Sequence, residues 1–271
     1  MGKRNDVHST PGGIQEYFLH FLYYANRGNY FSKKTLNEDT RLNEWFVPKF
    51  GPIKFRIFIG LLFLPYTGMC ISFTIIGSLL SPSVLWDRVI AICVIYALAL
   101  GVSAHAADIL GSKIKPWGNY LNKRQLWILI ISGLIVAYTI GVYYIIFYVS
   151  LLGIVAILEG FFVFAYNLEL FKGFFHNNFW FAISWGVLPL LAGFIMQTNS
   201  IGFLSIILSL ITGLESYIEI KTSRQYKELI RNGRDKFRIK KLETRLKLVS
   251  LGTIVFTIIL VVFRLVAGSF F

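Results

Sequence analysis

Four polar clusters in this sequence carry residue types that do chemistry, and each lies in or beside an apolar run. In the first, His105 and Asp108 are i and i+3 and share a helix face, with Ser112 one turn on and Lys113 and Lys115 beyond. This sets a carboxylate and an imidazole beside cations, a pattern that ordinary polar residues at a helix end also give. In the second, Glu215 and Glu219 are i and i+4, so their charges repel unless a cation sits between them. Paired carboxylates suit Mg²⁺, which takes hard oxygen ligands and keeps several waters. Lys221 and Arg224, just beyond, can hold a phosphate; the alternative is a solvated charged helix end. The third is Glu159, deep in an apolar run with Phe162 and Tyr166 near its face. An ionisable group in lipid is costly, so it points to a lined cavity, with a polar neighbour or a proton to neutralise it. The fourth runs from Tyr166 to His176, where the histidine is either a ligand or a loop residue in water. There is no Walker loop, GxGxxG, HExxH or hydrolase-like Ser-His-Asp arrangement.

The elements that must position these groups are membrane spans. The 271 residues are 55% hydrophobic and 15% charged, against about 25% charged in a soluble domain. A spanning helix needs roughly 20 apolar residues. Seven runs qualify, at about Ile57–Leu80, Val84–Ala107, Gln125–Phe147, Tyr148–Leu168, Phe179–Gln197, Ile201–Ile220 and Leu248–Ala267. The fold expected is therefore an all-α polytopic bundle of about seven spans. Gly141 and Tyr143-Tyr144 are the expected turn between the third and fourth. No run alternates with period two, which argues against a β-barrel.

Charge sets the orientation. With the N-terminus inside, 25 of the 27 lysines and arginines fall on inside segments, and only Arg88 and Arg264 lie opposite. By the positive-inside rule the arm and basic loops are expected to be cytoplasmic, in a plasma membrane. The net charge of +13 is spread over every inside segment. It reads as topology signal and contact with anionic lipids, not as a nucleic-acid patch. Residues 1–52 are expected to form a cytoplasmic arm with an interfacial helix over Ile14–Ala25. Residues 53–271 are expected to form the bundle, with a basic loop at 221–247 broken near Asn232-Gly233. The polar start lacks an apolar h-region and does not fit a myristoylation signal. Cys70 and Cys93 lie in apolar runs and read as core residues.

The order of these features resembles the UbiA superfamily of intramembrane prenyltransferases. That family carries an NDxxDxxxD motif after its second helix and DxxxD after its sixth. Here His105-x-x-Asp108-x-x-x-Ser112 stands in the first place, followed by Lys115-Pro116 and Asn122-Lys123-Arg124-Gln125. Glu215-x-x-x-Glu219 stands in the second. Tyr166 and the stretch Trp185–Gly193 are similar to further family features, and the resemblance covers roughly residues 50–267. The departures are Ala104, His105 and Ser112 for an Asn and two Asp, glutamates in the second motif, and seven helices for nine.

The resemblance implies a UbiA-like fold and transfer of a prenyl group from an isoprenyl diphosphate to a lipophilic acceptor. It implies that Asp108, Glu215 and Glu219 hold Mg²⁺ and act in catalysis. Lys115, Arg124, Lys221 and Arg224 would bind the diphosphate, and His105, Glu159 and Tyr166 would line the pocket. Imidazole prefers softer metals than Mg²⁺, and the first motif keeps one carboxylate of three. That erosion supports the alternative, a non-catalytic UbiA-like subunit or lipid-binding protein with a membrane-protein partner. A transporter is a third reading, supported by Glu159 alone.

Overall fold

The structure is a computed structural model and describes residues 41–112, 117, 120–233 and 235–267. The interfacial helix expected over Ile14–Ala25 and the expected diphosphate ligand Lys115 lie outside these residues. Among the described residues every regular element is helical.

Six stretches are long and apolar enough to cross a membrane. The first, Ile53–Leu79, is broken into α1 (Ile53–Leu61) and α2 (Leu64–Leu79). The others are α3 (Trp86–Gly111), α4 (Lys123–Phe147), α6 (Asn178–Thr198), α7 (Phe203–Asn232) and α8 (Lys236–Ala267). Between α4 and α6 lies α5 (Leu152–Ala165), apolar but only 14 residues long. At 1.5 Å per residue it spans about 21 Å, short of the ~30 Å hydrocarbon core. The seven expected spans are thus six full ones and a short one. Hydropathy overcounted because the apolar run Tyr148–Leu168 includes the turns at both ends of α5. The turn expected at Gly141–Tyr144 lies at Tyr148–Leu151, where the Leu151 amide donates to Asn199 Oδ1 at 3.0 Å. Gly141 is instead buried inside α4, where an added Cβ would meet Ile95 at 3.9 Å.

The break near Asn232-Gly233 is where the sequence placed it. Gly233 closes α7 in the left-handed conformation (φ 61°), and α8 starts at Lys236. The charged stretch is not a separate element: it extends α7 and α8 beyond their apolar parts. Residues from Arg41 onward pack into the bundle, with Leu42, Phe46 and Val47 buried against Trp117, Tyr226 and Leu246.

Helices α2 and α6 are mostly enclosed, whereas α4 and α8 expose apolar side chains such as Ile131, Ile135, Phe256 and Ile259. Such a surface calls for lipid as its solvent. Lipid does not drive apolar helices together, so small residues and hydroxyls hold the interior. A Cβ on Gly77 would sit 2.0 Å from Leu190 O, and one on Gly193 would sit 1.9 Å from Thr74 O. Ser78 Oγ donates to Gly193 O at 3.1 Å across the same contact. Two π-helical stretches, Ala97–Ala104 in α3 and Ile183–Val187 in α6, interrupt the regular ladder. Neighbouring hydroxyls cover their carbonyls. Ser103 Oγ reaches Leu98 O and Ile130 O at 3.0 and 3.1 Å. Thr212 and Ser216 of α7 donate to Gly186 O and Trp185 O at 2.9 and 3.2 Å. The two basic residues outside the charge asymmetry clamp helix ends. Arg88 donates to Met196 O, and the buried Arg264 donates to Ser81 O.

Gly193→Leu is expected to force α6 away from α2 and to lower stability by about 1–3 kcal/mol. Thermal unfolding in mild detergent measures this, and an unchanged midpoint would mean that the backbones do not touch there.

Candidate functional site

The site begins at the break in the first span. Phe63 starts α2 in the left-handed region (φ 45°, ψ 49°), at a cost of order 1–3 kcal/mol for a bulky residue. The surroundings hold it there. Thr67 Oγ1 donates to Leu62 O at 2.7 Å and covers a carbonyl that the break exposes. Pro65, in the first turn, has no N–H to leave unpaired. The Phe63 ring is buried and meets the His105 ring at 4.7 Å, the Arg41 guanidinium at 5.1 Å and the Lys227 ammonium at 5.7 Å. Two cations near one ring are in cation–π range.

The π stretches deliver the next rings. One ends immediately before His105, and the other contains Trp185. Their rings are 5.1 Å apart, and Trp185 stacks on Phe181 at 5.3 Å. His105 Nε2 lies 3.3 Å from Thr67 Oγ1. That hydroxyl spends its hydrogen on Leu62 O, so here it accepts and Nε2 donates. π-helical turns recur at functional sites because they re-aim side chains.

Charged groups close over this floor. Lys227 interacts electrostatically with Arg41, Glu44, Asp108 and Glu219. Arg41 and Glu44 form an ion pair at 3.7 Å. Glu219 is 2% exposed, and its Oε2 has no hydrogen-bond partner among the described residues. Arg224 Nη2 donates to the Tyr166 hydroxyl at 3.2 Å, and the Tyr166 ring stacks on His176 at 4.6 Å. His176 Nδ1 is 2.9 Å from Tyr166 O, so this histidine props Tyr166 and is not a free loop residue. Beside the site but outside the spans, burial first and the Arg56 charge second lower the pKa of Lys49, which donates to Glu44 O at 2.9 Å.

The structure thus gathers His105, Asp108, Tyr166, Glu219 and Arg224 of the residues picked from sequence. It does not gather the rest. Glu215 accepts a hydrogen bond from Thr253 of α8 and lines a separate cleft with Ile76 and Phe256. Glu159 accepts from Tyr96 inside the bundle at 2.9 Å. Lys221 and Arg124 are exposed. Sequence reasoning missed Lys227, although it follows Glu219 by eight residues and Ser223 by four, which puts all three on one helix face. Arg41 and Phe63 carried no such signal.

The expected Mg²⁺ ligands Asp108, Glu215 and Glu219 do not form one set. No three His, Cys, Asp or Glu side chains among the described residues stand close enough to hold a metal. Glu215 turns to Thr253, and the Lys227 ammonium interacts electrostatically with the other two carboxylates. The cation beside these carboxylates is a lysine, and among the described residues the donors do not fit the ion. Comparison with protein-family models, curated proteins and solved structures finds no match.

Lys227→Met leaves buried carboxylates without their cation and is expected to cost about 1–3 kcal/mol of stability. Adding Glu219→Gln is expected to recover part of that loss. A double-mutant cycle by thermal unfolding reads the coupling, and strictly additive effects would show that the two groups do not interact.

Proposed function

We propose that this chain is a UbiA-like membrane protein that binds an isoprenyl diphosphate at the basic end of its bundle and transfers the prenyl group to a lipophilic acceptor. One observation carries this reading. Arg41, Arg224 and Lys227 converge on a buried aromatic floor at the end of a lipid-embedded helix bundle. Basic side chains in a site poor in water stabilise the charge that develops on a departing diphosphate. As its carbon–oxygen bond breaks, the allylic carbon becomes positive, and the faces of Phe63 and Trp185 suit a cation. The acceptor then bonds to that carbon and releases a proton. Asp108 and Glu219 attract the Lys227 ammonium electrostatically. The basic end faces the cytoplasm of a plasma membrane in this reading, as 25 of the 27 basic residues indicate. A second reading, lipid binding without transfer, is favoured by the lack of a three-donor metal group among the described residues.

Purified protein in nanodiscs is expected to bind geranylgeranyl diphosphate saturably, with Lys227→Met weakening binding at least about tenfold, the effect of ~1.4 kcal/mol. Pyrophosphate release in the presence of native lipid extract identifies the transferase. Binding without release identifies the second reading, and no binding by folded protein excludes both. For orientation, a membrane-impermeant thiol reagent on intact cells is expected to label Ser200→Cys and to spare Asn232→Cys, two exposed positions at opposite bundle ends. The reverse pattern would invert the topology.

A further inference from the structure

Glu215 takes no part in the basic chamber and lines a cleft of its own. It lies on α7 six residues before Lys221, roughly 9 Å along the helix from that cation and so within the apolar part of the span. The cleft has a volume of about 310 Å³, at the lower end of small-ligand sites, which run from about 300 to 1,000 Å³. Ile76 of α2 and Leu190 of α6 form its apolar inner wall. Ile211 of α7 and Phe256 of α8 line it too and are 55% and 54% exposed, so it opens on the outer face of the bundle, where lipid lies. Gly252 of α8 leaves it room, because a Cβ there would meet nothing within 4 Å.

Three polar side chains line this cleft, Thr212, Glu215 and Thr253. Thr212 donates to Gly186 O at 2.9 Å, and Thr253 donates to Glu215 Oε1. Both hydroxyl hydrogens are thereby spent. Glu215 is half-buried, and its Oε2 stays open to the cleft with no hydrogen-bond partner among the described residues. A carboxyl group within a lipid-facing span is costly without a partner, so whatever fills the cleft must supply one. As a carboxylate, Oε2 asks for a donor. As a neutral acid, it carries the hydrogen and asks for an acceptor. A hydroxyl both donates and accepts, so one alcohol oxygen satisfies either form. An ether oxygen only accepts, an ammonium only donates, and a hydrocarbon does neither. A phosphate head would find no cation among the lining residues.

We infer that this cleft is a binding site for a long-chain alcohol, whose hydroxyl bonds to Glu215 Oε2 and whose chain passes Ile211 and Phe256 into the bilayer. The site uses no residue of the basic chamber, so it stands or falls apart from the transferase reading.

The test is photolabelling in nanodiscs with a diazirine analogue of hexadecanol, mapped by mass spectrometry. Labelling is expected on α7 and α8 within residues 208–215 and 252–256. At equal mole fraction in the bilayer, unlabelled hexadecanol should compete at least about tenfold better than hexadecane or hexadecyl methyl ether, a factor that one hydrogen bond supplies. Glu215→Leu should erase that preference. Glu215→Gln should keep part of it, because an amide still donates and accepts. Gly252→Phe should block labelling by filling the cleft, with thermal unfolding as the check that the bundle is intact. Equal competition by alcohol, ether and hydrocarbon would overturn the assignment. So would stronger competition by hexadecylamine than by hexadecanol, labelling that survives Gly252→Phe, or labelling confined to other helices. If the variants do not fold, the wild-type competition alone decides.

Discussion

Inside a lipid-embedded bundle, a backbone carbonyl that leaves the helical ladder must find another donor within the protein. Much of this molecule follows from that requirement. At the break after α1, Thr67 supplies the donor to Leu62 O. At the two π stretches, Ser103, Thr212 and Ser216 do so. Each of these hydroxyls fixes a helix break or a contact between helices, and each irregularity turns an aromatic ring toward the same place. Phe63, His105 and Trp185 meet because three departures from regular helix are each tolerated locally.

Close backbone contact is the second half of the design. Gly77 and Gly193 let α2 and α6 touch, and Gly186 lets α7 approach near the second π stretch. With α2, α6 and α7 fixed, Phe63, Trp185, Glu219 and Lys227 have little freedom in where they point. His105, Trp185, Glu219 and Lys227 are therefore positioned by helices, as a preorganised polar site requires, and Arg41 joins them from the segment before α1.

The electrostatics of the chamber also follow from confinement. Ammonium and guanidinium groups from α7 and from the segment before α1 sit among carboxylates from α3 and α7. Burial penalises every unpaired charge, so the mixture of signs is what lets so many ionisable groups stand together. The carboxylate motifs read alone suggest a metal, whereas Asp108 and Glu219 also feel the positive charge of Lys227. Glu159 lies deeper and has no such partner. Its environment is apolar apart from Tyr96, whose hydroxyl donates to Oε1.

The sequence by itself determined the class of the molecule. Hydropathy and basic asymmetry are additive properties of a chain in a bilayer, so an all-helical bundle, its approximate span limits and the Asn232-Gly233 break were legible from composition and spacing. Helical periodicity also linked His105 to Asp108. It could not separate Glu215 from Glu219: one turn apart on α7, they meet different neighbours, and only the packing of α8 against α7 sends Glu215 to Thr253. Nor could it reveal that α5 falls short of a span, because apolar turn residues read the same as apolar helix residues. The partnership of Phe63, Arg41 and Lys227 joins segments more than 150 residues apart. It rests on a left-handed residue and two π stretches that are stable only in their tertiary setting, so it was settled when the helices packed.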